Sequence, residues 1–307
     1  MGVRTLASRC TCPLVIVLAA LTIFPNYAFS QQALEQHWRE LEATHGVVQK
    51  PKPTLEQLAQ YGFELGTEFS SIDYEEPNFM EQKGLMYGIV SSYTYRSRPY
   101  FKSGRVMVRG EGRFSYGQVD YTSNGTGSMD NIDDYMLEFR GLGGPSIPIG
   151  AATTFTPYMG FGYRYLNDDS SGMTSSTGAG GYERESNYYY SPVGAEFLLN
   201  LKHGWSVGLG GEYDIFWKGV QKSHLSDVLP SFNDLENDQN GGFGTRGSIQ
   251  LRKKTKHVDF VMETFIRYWD IQTSDSQLIT FSGFIVGVGH EPANNSIEYG
   301  CKLALVF

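Results

Sequence analysis

From Tyr61 to Phe307, apolar and polar residues alternate with a period of two. In the stretch Tyr61 to Ser71, Tyr61, Phe63, Leu65 and Phe69 share one side, and Gly62, Glu64, Gly66, Glu68 and Ser70 share the other. Successive side chains of a strand point to opposite faces, so this period predicts a strand with one greasy and one polar face. The split recurs with Leu85, Tyr87, Ile89, Tyr93 and Tyr95; with Val106, Val108, Phe114 and Tyr116; and with Tyr135, Leu137 and Phe139. It continues through Phe155 to Tyr165, Tyr189 to Leu201, Trp205 to Trp217, Phe243 to Leu251, Val258 to Tyr268 and Ile297 to Phe307, which makes ten strands. Leu278 to His290 alternates weakly and reads as part of the last long connection; counted as a further strand it would move the total toward twelve.

The connections separate two architectures that such strands allow, a soluble sandwich and a membrane barrel. Residues 97–103, 143–152, 202–204 and 253–257 are short, whereas 75–83, 120–132, 166–187, 218–242 and 271–295 are mostly longer, and the two kinds alternate. Transmembrane barrels have short turns at one end and long loops at the other, with strands of about 9–11 residues crossing the lipid. A sandwich has no reason to keep that order. The predicted fold is therefore all-β, a single antiparallel transmembrane β-barrel of about ten strands, with twelve as the alternative. The aromatics fit, since Tyr61, Tyr95, Phe155, Trp205 and Phe307 fall near one rim. Phe69, Tyr116, Tyr163, Tyr165, Tyr189, Tyr213, Trp217 and Tyr268 fall near the other, as interfacial girdles require.

Before residue 60 the pattern changes. Arg4 and Arg9, the apolar run Leu14 to Phe24, and small residues at Ala28 and Ser30 form a secretory signal with cleavage expected near Ser30. In the periplasmic lead-in, residues 31–59, Leu34, Trp38 and Leu41 lie at helical spacing ahead of the Lys50-Pro51-Lys52-Pro53 linker. Residues 60–307 are then the barrel of a Gram-negative cell outer membrane. Cleavage takes two of the 25 basic residues and none of the 33 acidic ones. The mature chain is acidic, which speaks against nucleic acid, whose phosphates call for a basic face. It retains only Cys301, so no intramolecular disulfide is available.

Charge then describes the lumen. The inward register carries Glu64, Glu68, Arg109, Glu111, Arg113, Glu138, Arg140, Arg164, Glu196, Glu212, Asp214, Arg246, Arg252, Asp259, Glu263, Arg267, Glu298 and Lys302. Charges in a narrow lumen must be paired, and a barrel of about eight strands has room only for its own side chains. A largely filled lumen is expected, with extracellular loops free for surface, ligand or adhesion contacts. A porin-like conduit is disfavoured; a narrow channel, thinned at Gly208 and Gly210, is the alternative.

These features together resemble the outer-membrane β-barrel proteins. The final Ile297-x-Tyr299-x-Cys301-x-Leu303-x-Leu305-x-Phe307 is similar to the strand by which that group is recognised for assembly. The resemblance implies the barrel-assembly machinery and periplasmic chaperones as partners, outer-membrane lipid and lipopolysaccharide as surroundings, and Phe307 as the assembly signal. Ten strands also resemble the omptins, proteases that carry an aspartate pair facing an Asp/His pair at the barrel mouth. The matching loops here hold Asp130, Asp133 and Asp134 in the second and His224 and Asp227 in the fourth, without the omptin spacing.

Further candidates for chemistry sit in the fourth loop. His224-Leu225-Ser226 has the i, i+2 spacing of an outer-membrane lipid hydrolase pair, but Asp227 stands where an asparagine would follow. Asp234, Glu236 and Asp238 alternate as oxygen ligands of a calcium loop do, with Gln239 where a turn glycine belongs. No cofactor motif is present, and a mouth hydrolase is the alternative to a non-enzymatic barrel.

Overall fold

The computed structural model describes residues 60–100 and 104–307; the expected signal 1–30 and lead-in 31–59 lie outside the described residues. The alternating segments form β1 (Gln60–Glu76), β2 (Met80–Arg96), β3 (Arg105–Ser123), β4 (Gly127–Pro148), β5 (Thr153–Asp169), β6 (Glu183–Asn200) and β7 (Trp205–Ser223). They continue as β8 (Leu235–Gln239), β9 (Gly242–Lys253), β10 (Asp259–Ile271), β11 (Ser276–Phe281), β12 (Phe284–His290) and β13 (Asn294–Val306). Ten of these, β1 to β7, β9, β10 and β13, pair antiparallel in a ring that β1 and β13 close. The seam is complete to its end. Phe63 and Phe307 exchange backbone hydrogen bonds of 3.3 and 2.9 Å, and their rings stack at 6.3 Å.

Three strands, β8, β11 and β12, stand apart from the ring. β8 lies on the upper part of β7, where Ser223 faces Leu235, while β9 takes over lower down, where Ile215 faces Phe243. The break falls at Asn240 and Gly241, and Gly242 (φ +153°) has the Asp270 carbonyl 2.6 Å from where a Cβ would stand, so only glycine fits. β11 and β12 form a hairpin outside the barrel sheet, as expected for Leu278 to His290.

The first two long connections expected from the sequence are tight turns instead. Only residues 77–79 join β1 to β2, and only 124–126 join β3 to β4. The polar residues on either side of these turns stay in strand, so pairing runs on past the apolar belt, as in Asp73 opposite Lys83, with one register shift between Val119 and Tyr121. A polar stretch thus reads as loop because it lacks grease, although most of it pairs as strand.

The outside of the ring is apolar. Leu85, Ile89, Leu209, Ile249 and Leu303 are all more than half exposed, the reverse of a water-soluble sheet. Aromatic pairs mark both margins of this belt, Tyr61 with Tyr95 and Phe155 with Phe197 at the terminal end, Phe69 with Tyr87 and Tyr163 with Tyr189 at the loop end. Polarity is turned inward, and the lumen is filled in layers. At mid-height Arg113 reaches Glu68 at 3.0 Å and Glu298 at 2.7 Å, and Arg267 reaches Glu68 at 2.8 Å. Arg246 on β9 pairs with Glu138 on β4 at 2.5 Å and Asp214 at 2.8 Å, spanning four steps around the ring. Lower down Arg109 binds Glu196, Arg140 binds Glu111 and Glu212, and Lys302 lies 2.8 and 3.1 Å from Glu64 and Glu263. Above the ion pairs sits an aromatic slab. Tyr188, Tyr190, Phe216, Trp269 and Ile271 form it, and the guanidinium of Arg164 lies 5.4 Å from the Trp269 ring.

Candidate functional site

Above the aromatic slab the lumen opens into a chamber at the loop end. The same alternation builds its wall: Asp134 follows Glu138 and Met136 up the inner face of β4, and Asp168 follows Arg164 and Leu166 up β5. Asp134 and Asp168 are register partners across those two strands. The lower part, about 30 Å³, is lined by Asp134, Asn167, Asp168, Tyr74, Ser186 and Gln221 among others. The upper part, about 160 Å³, shares Gln82, Asp168 and Arg184 with it and adds an apolar wall of Met80, Tyr121, Met129 and Ile132.

Electrostatically the chamber is acid-rich. Arg184 is held 2.9 Å from Glu76 and 3.9 Å from Glu291 and lies 5.8 Å from the Tyr74 ring. Gln82 reaches Asp168 and accepts from Arg184 at 3.3 Å. In the connection leading to β13, burial first and Glu76 alongside push the Glu291 carboxyl up to about 7 despite Arg184. Asp134 is buried, and it makes no hydrogen bond or ion pair among the described residues; its Oδ1 is enclosed and unmatched. Asn167 is also buried. It lies on the opposite face of β5 from Asp168, beside the outward Tyr165, and its Nδ2 donates to the Glu183 carboxylate at 2.6 Å and to the Tyr165 hydroxyl at 3.2 Å.

A loop over residues 170–182 roofs the chamber and is pinned to the β3–β4 turn. Ser176 donates its N–H to the Ser128 carbonyl at 2.9 Å and accepts from the Ser128 N–H at 2.9 Å, and the Thr177 hydroxyl donates to the Thr126 carbonyl at 2.8 Å. Gly127 (φ +80°) sits under this contact, where a Cβ would meet the Ser176 hydroxyl.

The residues singled out from the sequence are divided between surfaces. Asp134 enters the chamber, but Asp133 points to the opposite face of β4, where Tyr116 donates to it at 2.7 Å and Gln118 at 3.1 Å. His224, Ser226, Asp227 and Asp234 come together at the start of the fourth loop. His224 Nε2 lies 2.9 Å from Glu185 and Nδ1 3.6 Å from Asp234, the Ser226 N–H donates to Asp234 at 3.0 Å, and Asp227 accepts from the Glu183 N–H at 3.0 Å. These contacts tie the loop to the top of β6. Burial lowers the His224 pKa, yet the Glu185 hydrogen bond with Glu183 and Asp234 nearby raises it overall. Of the alternating acids, Asp234 is engaged by His224 and Ser226, Asp238 by Lys218 at 2.8 Å, and Glu236 is exposed. Among the described residues no group of three or more His, Cys, Asp and Glu is arranged to hold a metal.

Sequence reasoning missed Glu76, Gln82, Asp168 and Arg184 as chamber residues. The signal was available in parity, because Asp168 keeps the inward register of Arg164. Residues 166–187 carry too little apolar contrast to make it stand out from loop.

No protein-family model and no curated protein matches the chain. Among solved structures it is similar to the outer membrane protease OmpT from Escherichia coli, with a TM-score of 0.55, 6% identity, and coverage of 84% of this chain and 99% of that one. Others are the translocator domain of the autotransporter NalP from Neisseria meningitidis (TM-score 0.40, 12% identity, 91% and 97% covered) and OprG from Pseudomonas aeruginosa (0.32, 13%, 83% and 99%). At such identity the likeness to OmpT speaks for architecture alone. The fold is the closed ten-strand antiparallel barrel of outer-membrane proteins.

Proposed function

We propose that this chain is an integral outer-membrane barrel whose lumen is closed by its own ion pairs and whose loop end is a contact surface for extracellular ligands. The supporting observation for closure is the Glu138–Arg246 pair, which with the Arg113–Glu298, Arg140–Glu212 and Arg267–Glu68 pairs ties non-adjacent strands across the lumen. A water-filled conduit needs that space. The exposed apolar belt between two aromatic margins supports insertion in lipid, with the short turns on the periplasmic side. Among the described residues, the connections at the terminal end carry Arg98, Lys202, Lys254 and Lys256 and no acid, whereas the loop-end strand termini mix Glu76, Glu81, Asp168, Asp169 and Glu183 with Lys83, Arg184 and Lys222. Phe307, sealing β13 against β1, is the proposed assembly signal.

Two measurements test this reading. Membranes washed with alkaline carbonate should retain the protein, and planar bilayers containing refolded protein should give no discrete conductance steps; release in the first or steps in the second overturns it. Turnover of peptide or phospholipid that disappears in Asp134→Ala or His224→Ala would replace it with a mouth hydrolase.

A further inference from the structure

Two of the basic turns at the terminal end come together on one side of the barrel. β7 pairs with both β6 and β9, which sets the turn before β7 beside the turn after β9, and the Lys254 N–H donates to the Gly204 carbonyl at 2.7 Å. Lys202, Lys253, Lys254 and Lys256 thereby form one patch, and all but Lys253 are exposed. Among the described residues no carboxylate lies within ion-pair distance of Lys202, Lys254 or Lys256. The acid that follows them, Asp259, is buried and already taken by Arg252 and by the Thr255 N–H. The chain as a whole carries a net charge of −8, so this corner reverses its sign. Depth says what the corner meets. Lys253 is the register partner of Trp205 and of Phe260, both exposed on the outer wall. Its ammonium lies 4.9 Å from the Trp205 ring centre and donates to the His203 carbonyl at 2.7 Å, so an apolar stem follows the wall while the charge reaches the turn. Aromatics of this kind mark the depth of lipid head groups, and the other three lysines stand just beyond it.

We infer that this patch is a docking surface for anionic phospholipid head groups in the leaflet at the terminal end. The phosphate lies among Lys202, Lys254 and Lys256, and the acyl chains lie against Trp205 and Phe260. Each lysine beside an anionic leaflet adds to the attraction, and here none is spent on a neighbouring acid. A soluble anion would meet the same lysines but gain nothing from the aromatic wall below them. The wall at the loop end is finished differently: Lys83 there is engaged by Asp73 and Glu81, and Lys218, next to Trp217, by Asp238. The inference rests on the reading of a lipid-embedded barrel with its short turns on the periplasmic side, and it names the lipid that this side selects.

The test is equilibrium binding of phosphatidylglycerol and phosphatidylcholine, carrying the same fluorescent acyl chain, to the refolded full chain in a nonionic detergent. Phosphatidylglycerol should bind at least tenfold more tightly, and raising the salt from about 0.05 to about 0.5 M should remove most of that preference. The triple variant Lys202→Gln, Lys254→Gln, Lys256→Gln should lose at least tenfold in phosphatidylglycerol affinity and keep its phosphatidylcholine affinity, whereas Lys218→Gln at the other margin should change neither. Equal binding of the two lipids, a preference that salt does not touch, or a triple variant that binds as the natural chain does overturns the inference. So does displacement by inorganic phosphate at equal concentration, which would mark a site for free anions, or stronger binding of lipid A, which would mark an outer-leaflet partner. Should the triple variant fail to fold, the salt titration of the natural chain decides. None of these lysines enters the lumen, so carbonate retention and conductance can fail or stand separately.

Discussion

The middle of the lumen and the chamber above it are lined by the same residue types, yet they are finished differently. At mid-height Glu68, Glu138, Glu298 and Asp214 each meet an arginine within 3.0 Å. A few rungs higher, Asp134 meets none and its Oδ1 has no hydrogen bond. Both regions are buried, so burial does not explain the contrast. Paired charge locks walls together, while unpaired charge in a closed space is a cost to folding that a bound partner would remove. The two regions should therefore respond oppositely when their charges are removed.

The sharpest break of that contrast is Arg246→Ala, which leaves Glu138, Glu212 and Asp214 short of their shared partner. Chemical unfolding of the refolded protein should report a loss of about 3–5 kcal/mol. Arg246→Lys should recover only part of it, because a point charge cannot fork between two carboxylates. If both variants unfold like the parent, the ion pairs are not what closes the lumen. Next in size is Gly162→Ala, at the aromatic slab that divides the two regions. A Cβ there would stand 2.2 Å from the buried Tyr190 ring, and overpacking of this kind costs about 1–3 kcal/mol, read as a lowered midpoint with an unchanged slope.

Asp134→Asn should go the other way. It removes a charge facing Asp168 with no partner to lose, so stability should rise by about 1 kcal/mol in the absence of ligand. A clear loss would mean that Asp134 is paired in solution and that the contrast is false. The smallest effect concerns His224. Its folded pKa is raised, so its contact with Glu185 contributes fully below the ordinary histidine value of about 6.5 and is lost as pH rises through the raised value. Proteolysis of the fourth loop should accelerate over that window, and His224→Gln should flatten the profile.

Much of this was legible in the chain. The ten barrel strands, the outward aromatics at Tyr61, Phe69, Tyr213 and Trp217, and the inward acids and bases all follow from a period of two, because one face meets an apolar medium and the other does not. Two things were hidden. Outside the belt both faces of a strand are polar, so residues 75–83 and 120–132 lack hydrophobic contrast and read as loops, although all but the turns 77–79 and 124–126 lie in strands. The partners of each inward charge were also hidden. Which glutamate Arg246 meets depends on tilt and side-chain reach around the ring, and Glu138 lies 108 residues away from it in sequence. His224 and Asp234, close in sequence, were easier to connect than Asp134 and Asp168, which only the β4–β5 register brings face to face.

The seam between β1 and β13 also sets the order in which the protein can form. Glu64 pairs with Val306, so the ring cannot shut until the last strand is present. Until then β1 and β10 are open edges, and open edges invite pairing with other chains. Local hairpins such as β1–β2 and β3–β4 can form quickly, but the contact that completes the ring has the longest sequence separation and is the slowest to reach. A chain clipped by a few residues at Phe307 would hold nearly all its native contacts and still lack the closing hydrogen bonds at Phe63. Its handicap would appear in the rate and yield of folding before it appeared in the shape of whatever molecules succeeded.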